Sequence, residues 1–307
     1  MKEITLEELL EAGCHFGHQV TRSNPKARDF VFEARDNIQI IDLAKTKEGL
    51  DEAAAFVKEL GQKGEDLLVV GTKRQAKDII EKEIARAREV LENDKKDHKG
   101  SIFYVTQRWI GGVLTNFSEV SKNFKKLNDL REKIVSPEEK AKYTKKELGQ
   151  WAKEIQRLES FYMGISSMLG KPGALFIIDS HLENLAVREA HSMNVKTVAI
   201  VDTNADPFVI DYPIPANDDA VGSIQLIVTH IIDAYVEGIK SQKLPKDEVK
   251  ADAKLKDSVS QAPAPKASQA SDVKAAAPKK DAKPKVEKQK IEKPKAKPKK
   301  TAAKNNT

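Results

Sequence analysis

Several groups of residues along the chain have types and spacings that can do chemistry. Cys14-His15-Phe16-Gly17-His18 offers a thiol and two imidazoles, which are zinc-ligand types. A tetrahedral site needs four ligands, and no second cluster stands at usable spacing, so packing or RNA contact suits these histidines better. Gly71-Thr72-Lys73 lacks the upstream glycine of a phosphate-binding P-loop. A helix starting there can still hold a phosphate of a nucleotide or of RNA, with Lys73 and Arg74 adding charge. Asp179, His181, Asp202 and Asp206 fall just beyond two apolar runs, where open α/β sheets bind their ligands. They suit a Mg²⁺ site or active site, or else loop capping, since Asp bonds its own backbone. No nucleophile, base and orienting group emerge together. An enzyme using this edge stands as the alternative; the chain is expected to be non-catalytic and to need no cofactor or small-molecule substrate.

The cations form a more coherent pattern. Arg22, Lys26 and Arg28 share a polar loop with Asn24-Pro25. Gln107-Arg108-Trp109-Ile110-Gly111-Gly112 combines a cation, an aromatic plane and two glycines that let a backbone approach closely. Lys122, Lys125 and Lys126 line one side of a helical stretch. Arg, Lys, Trp and Gly mixed in loops suit RNA backbone contact and base stacking. Solvated surface accounts equally well for any one cluster, and burial in a core or seam for Trp109 and Trp151.

Short β-rich runs must position these loops: Leu67–Val70, Ile102–Val105, Ala174–Ile178 and Thr197–Val201. They are continuously apolar, as strands buried on both faces of a parallel sheet are. Leu43, Leu50, Ala54 and Val57 mark one helix face, and Ala76, Ile79, Ile80, Ile84, Ala87 and Leu91 mark another. A last helix is expected over Asp218–Glu237, with Asn217 as N-cap and Asp218 and Asp219 in its first turn. The alternation predicts an open α/β sheet with helices on both faces. One stretch departs from it. Leu148, Trp151, Ile155, Leu158, Tyr162, Ile165 and Leu169 form a heptad seam, faced by Phe117, Val120, Phe124, Leu127, Leu130 and Ile134. Ser136-Pro137-Glu138-Glu139 and Thr144-Lys145-Lys146-Glu147 have the form of capping boxes at the turn between. The prediction is an inserted antiparallel coiled-coil hairpin, about 117–169, with its seam as its only core.

The 307 residues include 53 Lys+Arg, 47 Asp+Glu and one cysteine, for a net charge of +6. Residues 240–307 hold 20 Lys and 8 acidic residues, a net of +12, and no aromatic residue. The body, 1–239, is therefore net −6. The tail is too polar to offset its ordering entropy and is expected to be disordered, binding polyanions weakly or simply solvating the chain. A lone cysteine argues against a disulfide framework. No apolar run approaches the ~20 residues that span a bilayer, and four glutamates in Met1–Gly13 are unlike a signal peptide, so a cytoplasmic protein is expected.

Long stretches then match a known pattern in order. Leu9-Leu10-Glu11-Ala12-Gly13-Cys14-His15-Phe16-Gly17-His18-Gln19 resembles the opening signature of the universal family of the second small-subunit ribosomal protein, in its bacterial form. Arg108-Trp109-Ile110-Gly111-Gly112-Val113-Leu114-Thr115-Asn116-Phe117, Lys171-Pro172-Gly173-Ala174, Ala199-Ile200-Val201-Asp202-Thr203-Asn204-Ala205-Asp206-Pro207 and Ile214-Pro215-Ala216-Asn217-Asp218-Asp219-Ala220 continue the resemblance, from about residue 5 to 238. The resemblance implies a flavodoxin-like sheet with a helical hairpin. It also implies a structural role in the small subunit, contact with small-subunit rRNA and neighbouring ribosomal proteins, and help in recruiting the multi-repeat OB-fold protein that captures mRNA. The family usually has a basic residue and an aromatic near Thr21 and Ser23, and this chain departs from it there, which weakens the expectation of RNA contact by that loop. The tail lies outside the resemblance. The residues expected at RNA are Arg22, Lys26, Arg28, Lys73, Arg74, Arg108, Trp109, Lys122, Lys125 and Lys126.

Overall fold

The computed structural model describes residues 3–94, 98–136 and 142–242, all within a unit spanning Met1–Pro245. Its centre is a five-stranded parallel sheet of β4 (Leu67–Val70), β5 (Ile102–Val105), β6 (Ala174–Ile177), β7 (Lys196–Val201) and β8 (Tyr212–Pro215). The order is β5-β4-β6-β7-β8, the 2-1-3-4-5 sequence of a flavodoxin-type doubly wound sheet. The four predicted strands are present. β8 carries Pro213 and Pro215, which cannot donate to a ladder; it is an edge strand paired only to β7, where prolines are tolerated.

A smaller antiparallel sheet, unforeseen in the sequence, contains β1 (Phe16–Gln19), β2 (Val31–Arg35) and β3 (Ile38–Ile41) in the order β1-β3-β2. The β2–β3 turn puts Asp36 and Asn37 at positive φ, 51° and 64°, as a type I′ hairpin requires. Its residues are largely exposed, so no buried alternation announces it.

Successive side chains of the parallel strands feed two cores. Leu67, Val69, Phe176, Val198 and Ile200 join one with α1 (Leu6–Glu11), α2 (Leu43–Lys63), α3 (Arg74–Glu92) and α7 (Val221–Lys240). Leu68, Val70, Leu175, Ile177 and Ala199 join the other with α4 (Phe117–Val135), α5 (Lys145–Tyr162) and α6 (Asn184–Ser192). Both predicted helix faces are buried as expected, with Leu43 and Leu91 partly so. α2 and α7 approach at glycines: a Cβ on Gly61 would lie 2.6 Å from the Tyr235 carbonyl oxygen, and one on Gly238 would overlap that of Lys58.

α4 and α5 pack antiparallel, since Asn123 meets Tyr162 whereas Lys133 lies over Trp151. Thr144 and Glu147 form the expected capping box; the other proposed box falls partly outside the described residues. Two expectations about this insertion fail. Val120, Phe124, Leu127, Leu130, Leu158 and Tyr162 belong to the sheet's second core, so the pair does not stand on its seam alone. The seam also stops early. α5 gives way to a 3₁₀ turn over Met163–Ile165, whose Gly164 lies against the Tyr104 carbonyl of β5, and Leu169 is 96% exposed.

The last helix also differs from expectation. It begins at Val221, and Ala220 is its N-cap with no side-chain bond. The Asn217 side chain instead accepts from the Asp219 and Ala220 N–H groups at 2.8 and 3.1 Å, closing a turn before the helix. Asp218 and Asp219 are therefore outside the first turn, bound to Lys73.

Candidate nucleic-acid interface

The loops that follow β4, β5, β6, β7 and β8 all leave the carboxyl edge of the sheet; of the predicted RNA-contact residues they carry Lys73, Arg108 and Trp109, while Arg74 opens α3, Arg22, Lys26 and Arg28 lie between β1 and β2, and Lys122, Lys125 and Lys126 lie on α4. At the β4–β6 switch point the Lys73 ammonium sits 2.7 Å from Asp218, 2.8 Å from Asp219 and 2.9 Å from Asp179, with its side chain 14% exposed. Burial pulls its pKa down, but Asp218, Asp219 and Asp179 more than offset this and hold it above the ordinary lysine value. The Asp218 carboxyl is pushed up by burial and by Asp179 and Asp202, against the pull of Lys73. Lys73, expected at an RNA phosphate, thus has its charge matched internally. Arg74, at the start of α3, is exposed and without an ion pair among the described residues.

His18 extends this cluster. Its Nδ1 lies 3.1 Å from Asp202 and its Nε2 3.5 Å from Asp219. The Asp202 carboxylate beside it raises its pKa, opposed by burial. His18, Asp218 and Asp219 each offer one atom, all within 4.8 Å of one another, a set able to hold a divalent cation. Cys14 does not join them; it is buried in the first core, where burial raises its thiol pKa.

The group suspected from the sequence, Asp179, His181, Asp202 and Asp206, serves mainly as loop chemistry. Asp179 accepts from the His181 and Leu182 N–H groups, and Asp202 from Thr203 N–H. Asp206 caps the turn at Pro207–Val209 and binds Lys26 at 2.6 Å. His181 is exposed. Asn24 N–H donates to Thr203 O at 2.7 Å, docking the 22–28 loop on the end of β7. Arg22 and Arg28 are exposed there, with no ion pair among the described residues.

The loop after β5 is organised by a residue the sequence analysis missed. Glu189, buried on α6, accepts from Trp109 Nε1, the N–H groups of Gly112, Leu114 and Thr115, and the Thr115 hydroxyl, at 2.8 to 3.3 Å. Burial alone would raise its pKa; the Gly112, Leu114 and Thr115 N–H groups and the indole bring it below the usual glutamate value. Its signal was a carboxylate one helical turn from Ala186 on an apolar face. The same bonding holds Trp109 inward at 5% exposure, so its ring is core and not a stacking plane. Arg108 beside it is exposed. On α4, Lys122 pairs with Glu119 and Lys126 with Glu154, while Lys125 is exposed and has no ion pair among the described residues.

A family described as Ribosomal protein S2 matches residues 9–238, a span that takes in every loop above. The chain belongs to that family. It is 47% identical over 235 residues to the small ribosomal subunit protein uS2 of Roseiflexus sp. (strain RS-1), covering 76% of this chain and 84% of that one. It is 43% identical over 240 residues to the uS2 of Chloroflexus aggregans, covering 78% and 95%. The uS2 of Chloroflexus aurantiacus (strain J-10-fl) is 43% identical over 244 residues, covering 80% and 97%. Ribosomal protein S2 is a structural, non-catalytic family, so the enzyme reading of the acidic edge falls.

Proposed function

We propose that this chain is a structural constituent of the small ribosomal subunit, binding small-subunit rRNA and neighbouring ribosomal proteins in the cytoplasm. Those neighbours include the multi-repeat OB-fold protein that captures mRNA. The supporting observation is a division among the cations. Lys26, Lys73, Lys122 and Lys126 are matched by carboxylates, whereas Arg22, Arg28, Arg74, Arg108 and Lys125 stand exposed without such partners among the described residues. On a body of net −6, the unmatched cations are the places for phosphate, and they fix orientation without reading sequence. Lys73 contributes by fixing the loop next to Arg74, and the matched lysines can exchange a carboxylate for a phosphate. The body over 1–239, the α4–α5 pair as a coiled-coil hairpin within 117–169 and the Lys-rich tail over 240–307 are the working units of this reading. Residues 243–307, where the disordered tail was expected, lie outside the described residues.

Sucrose-gradient sedimentation of lysate, repeated at rising salt, tests it. The full chain should travel with the small subunit, and the Arg22→Ala/Arg108→Ala chain should be released at lower salt, because each lost phosphate contact lowers the log–log salt slope by about 0.7–0.9. Equal retention of both at every salt would remove these contacts from the interface. Failure of the unaltered chain to reach the small-subunit fraction would remove the ribosomal reading altogether.

A further inference from the structure

A groove of about 410 Å³ lies between the loop after β5, the α4–α5 pair and α6. Sites for small organic groups begin near ~300 Å³ and combine apolar walls with a few convergent polar atoms. Ile110, Phe161 and Leu185 supply the walls, and Phe161 and Leu185 remain 37% and 50% exposed. Arg108 and Arg157 stand at the same groove. Arg108 has no ion pair among the described residues, and the Arg157 guanidinium pairs there only with Glu154, at 2.9 Å, leaving most of its five donors unused. The Asn123 side chain donates through Nδ2 to the Tyr162 hydroxyl at 3.0 Å and makes no other hydrogen bond among the described residues, so its Oδ1 is unused. The loop wall is already set, because Glu189 ties Gly112, Leu114 and Thr115 in place.

An aromatic ring, an amide and two guanidinium groups around one hollow match the parts of a nucleotide. We infer that this groove takes a single unstacked nucleotide of RNA, with its base against Phe161, its base edge at Asn123 and its phosphate at Arg108 and Arg157. The inference rests on the rRNA-binding reading above and adds a pocket for a splayed base to an interface otherwise made of backbone contacts. An acidic peptide would also meet the arginines, but it would gain nothing specific from the ring.

The test uses the full chain and transcribed bacterial small-subunit rRNA. Ultraviolet cross-linking followed by mass spectrometry should place a nucleotide adduct on the peptide containing Phe161. Phe161→Leu, which keeps bulk but loses the ring, should abolish the adduct and weaken filter binding about five- to tenfold, the lower range for one base stacked on an aromatic. Phe161→Tyr should bind like the unaltered chain, and Asn123→Ala should weaken binding. Melting temperatures are measured alongside; if Phe161→Leu fails to fold, the adduct on the unaltered chain decides. Absence of an adduct in the groove, or equal affinity of the Leu and Tyr variants, overturns the inference. In that case the RNA reading stands if Arg22→Ala/Arg108→Ala still weakens binding, and both fall if it does not. An acidic peptide that displaces the rRNA equally well from the parent and Phe161→Leu chains would also overturn it.

Discussion

Glu189 illustrates how one side chain can decide the shape of a loop eleven residues long, Thr106 to Asn116. Its carboxylate is matched by N–H groups and not by a cation, so its charge is stabilised only while the loop keeps its form. Its pKa in the folded chain lies below the ordinary value of about 4.3. The stability it contributes is therefore complete at neutral pH and is lost as pH falls from that value through the folded one. Calorimetry from pH 7 downward should show the unaltered chain losing melting temperature faster than Glu189→Gln, which starts lower by about 1–3 kcal/mol for its poorly matched donors. Parallel acid limbs for the two chains would refute this assignment. The residue was only half visible in the sequence. A carboxylate on an apolar helix face announces a buried acceptor, but its donors lie more than seventy residues earlier. Asp179, Asp218 and Asp219 pose the same difficulty: the residue types were legible, and their meeting at Lys73 depended on the loops that follow β4, β6 and β8.

At the scale of elements, continuous apolar runs gave the central strands, and 3.6-residue spacing gave α2 and α3, because burial on both faces or on one stripe leaves a direct trace in composition. β8 and the β1–β3–β2 sheet left no such trace, one being rich in proline and the other largely exposed. The seam of α4 and α5 was legible, but its end was not, because Gly164 yields the helix to a close approach on β5. Glycines inside helices separate these effects experimentally. Gly238→Ala in α7 would drive a Cβ into the Lys58 carbonyl of α2 and should cost about 1–3 kcal/mol in urea unfolding. Gly149→Ala in α5 meets nothing within 4 Å and should stabilise by about 0.5–1 kcal/mol. The same sign for both would mean that the close α2–α7 approach is not what glycine provides.

For the molecule as a whole, the net +6 conceals an acidic body and a strongly basic tail, so any contribution of each to binding a polyanion can be tested separately. The body's bonds extend past its last helix: the Gln242 amide donates to the carbonyls of Gly61 and Lys99, both at 2.7 Å. A chain ending at Gln242 should keep the urea midpoint of the full chain and remain with the small subunit after a high-salt wash, while its affinity for rRNA at low salt falls. Loss of the small-subunit peak for this chain would assign the attachment to the tail. The sheet order has a further consequence for how such a protein is made. β4 must pair with β6, yet Val70 and its partner Ile177 are roughly a hundred residues apart. At synthesis rates of about 5–20 residues per second, the central strand waits on the order of 5–20 s for its second neighbour. During that interval β5 and then α4 and α5 emerge, in an order that lets them cover the exposed face before the sheet can close. The inserted helices can thus shelter an unfinished sheet from association with other nascent chains.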